Sequence, residues 1–214
     1  MNLPNFLTIL RIFFVPLLVA AMVEQNMAFQ VGGILITNDL LALAIFMAAA
    51  TTDLLDGYLA RRWGQVTTVG TLLDPIADKL LISASLISLV QVHAVPAYLV
   101  ILIIGREFAV TGLRSIAAAE GYTIRASDLG KTKMIFQVAA IACVLLSIRH
   151  PALAPFATLG MWLVVLFALV SAAGYFQKFW RQIDERVKQR RRRELLAEER
   201  RRRKLAARER PASA

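Results

Sequence analysis

Long apolar runs alternate with short polar connections along most of the chain. The runs lie at about residues 6–23, 37–60, 71–92, 95–117, 133–149 and 153–177. Each is close to the length of about 20 residues that an α-helix needs to cross the hydrocarbon core of a bilayer. The pattern predicts an all-α integral membrane protein with six transmembrane helices, which puts both termini on the same side of the membrane.

Basic residues are distributed unevenly between the two sides. The chain has 25 Lys and Arg against 15 Asp and Glu, and much of the excess lies beyond the last apolar run. Connections that contain Arg61 or Lys131 alternate with connections in which Arg149 is the lone basic residue. Because Lys and Arg favour cytoplasmic connections, we expect both termini in the cytoplasm.

Four aspartates interrupt the second and third apolar runs. Asp53 and Asp56 are three residues apart, and Asp74 and Asp78 are four residues apart, so each pair lies on one face of a helix. The pairs end one run and begin the next, and a turn between the runs would bring them together. A carboxylate at membrane depth costs about 2.5–3.5 kcal/mol on insertion scales, so the group needs a cationic partner.

Carboxylates without His or Cys are typical ligands of hard cations. They suit Mg²⁺, Mn²⁺ or Ca²⁺ and do not suit zinc or copper, and we expect Mg²⁺ with Mn²⁺ as the alternative. Such an ion commonly completes its coordination with substrate phosphates, so the aspartates predict a phosphorylated substrate. Salt bridges to Arg61, Arg62 or Lys79 are the alternative explanation.

A second group of charges lies in the fourth and fifth apolar runs. Its cations are Arg106, Arg114, Lys131 and Lys133, and Glu107 follows the first of them. In the predicted topology these residues lie toward the cytoplasm, as the aspartates do. Since an Arg fork matches phosphate oxygens in pairs, the cations predict a site for a second anionic substrate. Anchoring to lipid headgroups is the alternative.

The aspartate run resembles the signature of the CDP-alcohol phosphatidyltransferases. The signature positions are filled by Asp53, Asp56, Gly57, Ala60, Arg61, Gly70, Asp74 and Asp78. Residues 2–11, 105–114 and 130–133 are similar to the bacterial members that use sn-glycerol 3-phosphate as acceptor. The resemblance covers about residues 2–178 and leaves out the basic end of the chain.

This resemblance implies a six-helix enzyme, commonly a homodimer, in the bacterial inner membrane with its active site facing the cytoplasm. The reaction would transfer a phosphatidyl group from CDP-diacylglycerol to sn-glycerol 3-phosphate. The metal ligands would be Asp53, Asp56, Asp74 and Asp78, the last also serving as general base. The CDP portion would contact Asn5, Thr8, Gly57, Arg61 and Thr67. The acceptor phosphate would contact Arg106, Arg114, Lys131 and Lys133.

Two regions follow from these patterns. Residues 1–178 are expected to form the six-helix transmembrane catalytic domain, and residues 179–214 a basic cytoplasmic tail. The composition of the tail favours helix, but its polarity on all sides argues against burial, so we expect a marginal helix or disorder. Basic runs beside a final span bind anionic headgroups. Nucleic acid is not an expected partner, because no aromatic residues alternate with the basic ones.

Other acceptors and another class of protein compete with this interpretation. Inositol phosphate would also account for the cations, whereas serine has no phosphate to bind them. Transport of an ion or metabolite is the other class, since buried carboxylates also line transport pathways. However, the runs show no evident repeat, and charges are nearly absent from the outer half. Because the signature contains no nucleophilic Ser, Cys or His, direct displacement is expected rather than a covalent intermediate.

Overall fold

Six long helices account for most of the residues that the structure describes. The structure is a computed structural model and describes residues 3–24, 28–31, 34–63, 67–121 and 129–208. The helices are α1 (Leu3–Val23), α2 (Asn38–Trp63), α3 (Thr68–Gln91), α4 (Ala97–Ala119), α5 (Leu129–Arg149) and α6 (Ala154–Arg208), and a 3-10 turn at Pro151–Leu153 precedes the last. The predicted all-α fold with six long helices is confirmed, and most helix ends lie within a few residues of the predicted spans.

A β-hairpin precedes α2 and was not predicted. Its strands are β1 (Ala28–Val31) and β2 (Ile34–Thr37), which pair antiparallel with Ala28 opposite Thr37. Gly32 and Gly33 lie between the strands in the sequence, and such a dipeptide between apolar segments is typical of a two-residue hairpin connection. That signal could have revealed the hairpin.

Hydroxyl groups inside the apolar helices bond to the helix backbone. Thr51 Oγ1 donates to the carbonyl oxygen of Met47 at 2.7 Å, and Ser85 Oγ donates to the carbonyl oxygen of Leu81 at the same distance. Each bond reaches back by one helical turn and satisfies the hydroxyl without water. Such residues can therefore lie within a membrane helix at little cost.

The described chain divides into two compact units. The first comprises Met1–Phe108 and Ala126–Val170. In it, α1 packs against α2 and α3, and α2 packs against α5. Its core is apolar, with Phe46 and Leu86 among the fully buried side chains, yet Arg11 is fully buried as well. A buried guanidinium requires an anionic partner, and α2 and α3 provide several.

The second unit comprises Ala109–Arg125 and Ser171–Ala214. Val110 and Ala117 of α4 pack there with Tyr175 and Phe179 of α6. Helix α6 continues to Arg208 and therefore includes much of the predicted basic tail. The boundary at residue 178 stays a prediction.

Two of the described segments are long and apolar enough to cross a membrane. They are Asn5–Val23 and Pro151–Glu185. At about 1.5 Å per residue, the 19 residues of the first give a length of about 28 Å, close to the thickness of the hydrocarbon core. Large apolar side chains are also exposed, among them Phe13, Ile101 and Phe156 at 69%, 68% and 65%. Apolar exposure of this extent indicates contact with lipid, and the protein is a membrane protein.

Candidate active site

Three of the four aspartates meet across α2 and α3. Asp53 lies on α2, Asp74 and Asp78 lie on α3, and one carboxylate oxygen from each lies within 4.8 Å of the others. Their side chains are 12%, 42% and 27% exposed, respectively. Asp56 belongs to α2, but its side chain lies outside the described part of the chain. Three carboxylates so close together repel one another unless protons or cations offset their charge.

The guanidinium of Arg11 lies among these carboxylates. Its Nη1 is 2.9 Å from Asp53 Oδ1, 3.1 Å from Asp74 Oδ1 and 2.5 Å from Asp78 Oδ1. The Arg11 side chain has no solvent exposure. Burial of an unpaired guanidinium costs free energy, and so does burial of the carboxylates. Contact between the opposite charges offsets both desolvation costs. Helix α1 thus contributes a cation to an acidic cluster formed by two other helices.

Sequence reasoning had not included Arg11 among the candidate site residues. A signal was present, because Arg11 is the lone charged residue of the first apolar run. A single charge inside an apolar helix needs an opposite charge on another helix. The aspartates likewise require a positive charge nearby. Pairing them with Arg11 would therefore have predicted the contact.

The start of α3 contacts α1 beside this cluster. Thr67 caps α3, where its Oγ1 accepts a hydrogen bond from the Gly70 backbone nitrogen at 3.0 Å. The same hydroxyl donates to Asn5 Oδ1 at 2.8 Å. Asn5 and Thr67, two of the residues predicted to contact CDP, therefore touch each other. A third, Thr8, is buried on α1.

Gly70 leaves room for this close approach. A Cβ atom at residue 70 would lie 2.6 Å from Asn5 Oδ1 and 3.0 Å from Thr67 Oγ1. Glycine lets the side chain of one helix approach the backbone of another. Of the remaining predicted CDP contacts, Gly57 and Arg61 belong to α2, and their surroundings lie outside the described part of the chain.

A second charged cluster joins α4 and α5. Glu107 Oε2 accepts hydrogen bonds from Arg106 Nη1 at 2.9 Å and from Lys133 Nζ at 2.5 Å. Arg106 Nε also donates to the carbonyl oxygen of Ala168 on α6 at 3.2 Å. The Arg106 and Lys133 side chains are almost fully buried, at 7% and 9% exposure. Two cations around one carboxylate leave a positive charge, which suits an anionic ligand.

The other two predicted acceptor residues are not in this described cluster. Arg114 is exposed on the part of α4 that belongs to the second unit. Lys131 lies on α5, and its side chain is outside the described part of the chain. The structure therefore brings together Arg106 and Lys133, and it adds Glu107 as the group that contacts both.

Comparisons with known proteins agree with this geometry. Residues 1–170 match the CDP-alcohol phosphatidyltransferase family. The CDP-diacylglycerol–glycerol-3-phosphate 3-phosphatidyltransferase of Bacillus subtilis (strain 168) is 42% identical over 190 residues, which cover 85% of this chain and 97% of that enzyme. The protein of the same name from Rickettsia felis is 33% identical over 180 residues, which cover 82% of this chain and 94% of that protein.

A solved structure shares the fold. It is the crystal structure of Mycobacterium tuberculosis phosphatidylinositol phosphate synthase with CDP-DAG bound. It matches with a TM-score of 0.57 and covers 84% of this chain and 87% of its own. The two sequences are 19% identical, so this likeness concerns the fold alone.

Proposed function

The chain belongs to the CDP-alcohol phosphatidyltransferase family, and we propose that it transfers the phosphatidyl group of CDP-diacylglycerol to sn-glycerol 3-phosphate. The products are phosphatidylglycerophosphate and CMP. The main structural support is the cluster of Asp53, Asp74 and Asp78, whose oxygens lie within 4.8 Å of one another. The names of the relatives support the acceptor, since two that are 42% and 33% identical use glycerol 3-phosphate by name.

The aspartate cluster fits a hard divalent cation. It offers only oxygen ligands, and its carboxylates already surround a positive charge, that of Arg11. We propose Mg²⁺, with Mn²⁺ as a substitute, held by Asp53, Asp56 and Asp74 with Asp78 as a further ligand. The ion, when bound, would neutralise the diphosphate of the donor and favour the departure of CMP.

Asp78 is the proposed general base. The primary hydroxyl of the acceptor attacks the β-phosphorus of the donor and passes its proton to the Asp78 carboxylate. A new phosphorus–oxygen bond forms, and the bond to the CMP oxygen breaks with its electron pair going to CMP. This direct displacement inverts the configuration at phosphorus, and retention in a chiral-phosphate experiment would contradict it. The 27% exposure of the Asp78 side chain supports access by a substrate hydroxyl.

The donor and the acceptor would bind at different charged clusters, the donor at the aspartates and the acceptor at the cluster of α4 and α5. We propose that the CDP portion contacts Asn5, Thr8, Gly57, Arg61 and Thr67. The contact between Asn5 and Thr67 beside the aspartates supports this assignment. We propose that the acceptor phosphate contacts Arg106, Arg114, Lys131 and Lys133. The shared contact of Arg106 and Lys133 with Glu107 supports the second assignment.

We further propose a multi-pass homodimer in the bacterial cytoplasmic membrane. Both termini and the active site would face the cytoplasm, because the connections rich in Lys and Arg lie on that side. The basic end of α6 would bind anionic headgroups. Membership of the family supports transfer over the transport function that buried carboxylates could also indicate.

An acceptor panel tests the function. Purified full-length protein in detergent is given CDP-diacylglycerol, with or without Mg²⁺, and CMP release is measured with glycerol 3-phosphate, inositol phosphate, glycerol or serine. We expect release that requires both the divalent ion and glycerol 3-phosphate. CMP release with inositol phosphate and not with glycerol 3-phosphate would identify inositol phosphate as the acceptor. CMP release only with an unphosphorylated alcohol would overturn the assigned role of Arg106 and Lys133.

A further inference from the structure

Arg11 occupies the space among three carboxylate oxygens that could also hold a metal ion. A single nitrogen, Nη1, contacts one oxygen from each of Asp53, Asp74 and Asp78 at 2.5–3.1 Å. Mg²⁺ binds carboxylate oxygens at about 2.0–2.1 Å, so an ion held by the same three oxygens would lie against that nitrogen. The guanidinium and the metal ion cannot both occupy the space among these oxygens.

The charge of Arg11 also matters in the absence of metal. Its side chain is fully buried, and the carboxylates that it contacts are partly buried at 12–42% exposure. Carboxylates this close together repel one another, and the low dielectric of the interior increases the repulsion. Arg11 reduces that repulsion because it contacts all three carboxylates through one nitrogen.

We propose that Arg11 is an internal cation that neutralises the aspartate cluster before metal binds and then competes with the metal for the same oxygens. The inference rests on the proposed metal site. It gives Arg11 two opposite effects, since the side chain stabilises the metal-free protein and lowers the affinity for the ion. A salt bridge with a purely structural role would have the first effect without the second.

Arg11→Met separates the two effects. Mn²⁺ is the probe, and its dissociation constant is measured by electron paramagnetic resonance on the full-length protein in detergent. Because the competing charge is gone, we expect R11M to bind Mn²⁺ about tenfold more tightly than the unmodified protein, or better. Thermal unfolding should show that R11M melts lower than the unmodified protein in EDTA and gains more from added Mn²⁺.

Arg149→Met is the matched control. It removes the same charge from an exposed residue whose Nη1 donates to Thr37 Oγ1, away from the aspartates. Since remote exposed charges are screened by salt, its Mn²⁺ dissociation constant should stay within about twofold of the unmodified value. An equal gain in R149M and R11M would overturn the inference, because the effect would then come from net charge.

Arg11→Lys decides the question if R11M does not fold. The ammonium keeps the charge but is more strongly hydrated and lacks the planar fork, so it competes less well for buried carboxylates. We expect R11K to bind Mn²⁺ more tightly than the unmodified protein. Unchanged or weaker binding in the folded variant would overturn the inference and leave the metal site intact. Absence of Mn²⁺ binding from the unmodified protein and from every variant would overturn the proposed metal site as well.

Discussion

The two charged clusters of the first unit are built alike but have opposite signs. In the acidic cluster, three aspartates of α2 and α3 surround one guanidinium from α1. In the basic cluster, Arg106 of α4 and Lys133 of α5 contact the single carboxylate of Glu107. The first has an excess of negative charge and suits a divalent cation with a diphosphate donor. The second has an excess of positive charge and suits the phosphate of an acceptor.

In each cluster, one side chain of opposite charge contacts all the described side chains that share a charge. Arg11 contacts three carboxylates through Nη1, and Glu107 contacts two cations through Oε2. A buried group of like charges is unstable without such a partner, so the central ion keeps the ligand-binding groups together in the absence of ligand. The charge that remains after this pairing is the one that attracts the substrate or the metal.

The largest effect is expected in the acidic cluster, from Asp78→Asn. The amide cannot accept the proton of the acceptor hydroxyl, so kcat should fall by about 10²–10⁴-fold. Steady-state CMP release is measured at saturating Mg²⁺, so that weaker metal binding after the change of a proposed ligand does not account for the loss. A loss of less than about tenfold under these conditions would assign the base to another residue.

The basic cluster should respond to Lys133→Met through the acceptor. A hydrogen bond to a charged group contributes about 1.5–3 kcal/mol, so the KM for glycerol 3-phosphate should rise by about 10–150-fold. R149M, with the same change in net charge, is the control and should leave that KM unchanged. An unaltered KM in K133M would remove Lys133 from the acceptor site.

A smaller effect is expected at the contact between α1 and α3. Gly70→Ala forces a Cβ to within 2.6 Å of Asn5 Oδ1, and this overpacking should lower stability by about 1–3 kcal/mol. Gly174→Ala is the matched control, because a Cβ there meets nothing within 4 Å. Thermal unfolding in detergent compares the two variants. Equal melting temperatures would mean that Asn5 moves aside freely.

The smallest effect on catalysis is expected from removal of the basic end of α6. Truncation after Glu185 keeps Tyr175, Phe179 and Ile183, which pack in the second unit. It removes every basic residue from Arg186 onward. Turnover in detergent should be unchanged, whereas binding to vesicles that contain anionic lipid should weaken. A correctly folded truncated protein without turnover would contradict the assignment of catalysis to the clusters of the first unit.

The helices could be predicted well because each apolar run has the length of a membrane span. The hairpin was missed because strands of four residues are too short for a clear pattern, although Gly32 and Gly33 marked it. The continuation of α6 to Arg208 was expected only as a marginal helix, because a segment that is polar on all sides shows no buried face.

The candidate site was predictable where chemistry follows from spacing along one helix. Asp74 and Asp78 share a face of α3 because they are four residues apart, and the predicted turn between the second and third apolar runs accounts for the nearness of Asp53. The position of Arg11 depends on how α1 packs against both helices, which spacing does not specify. For the same reason, the contact of Glu107 with Lys133 could not be derived from the sequence.

The central claim is that the two clusters divide the reaction between metal-bound donor and acceptor phosphate. The most direct test compares Asp74→Asn with Lys133→Met in one CMP-release assay, which gives the half-saturating Mg²⁺ concentration and the KM for glycerol 3-phosphate. We predict that D74N raises the Mg²⁺ requirement and leaves the KM for the acceptor nearly unchanged, and that K133M does the reverse. A shift of the same constant by both variants would contradict the division.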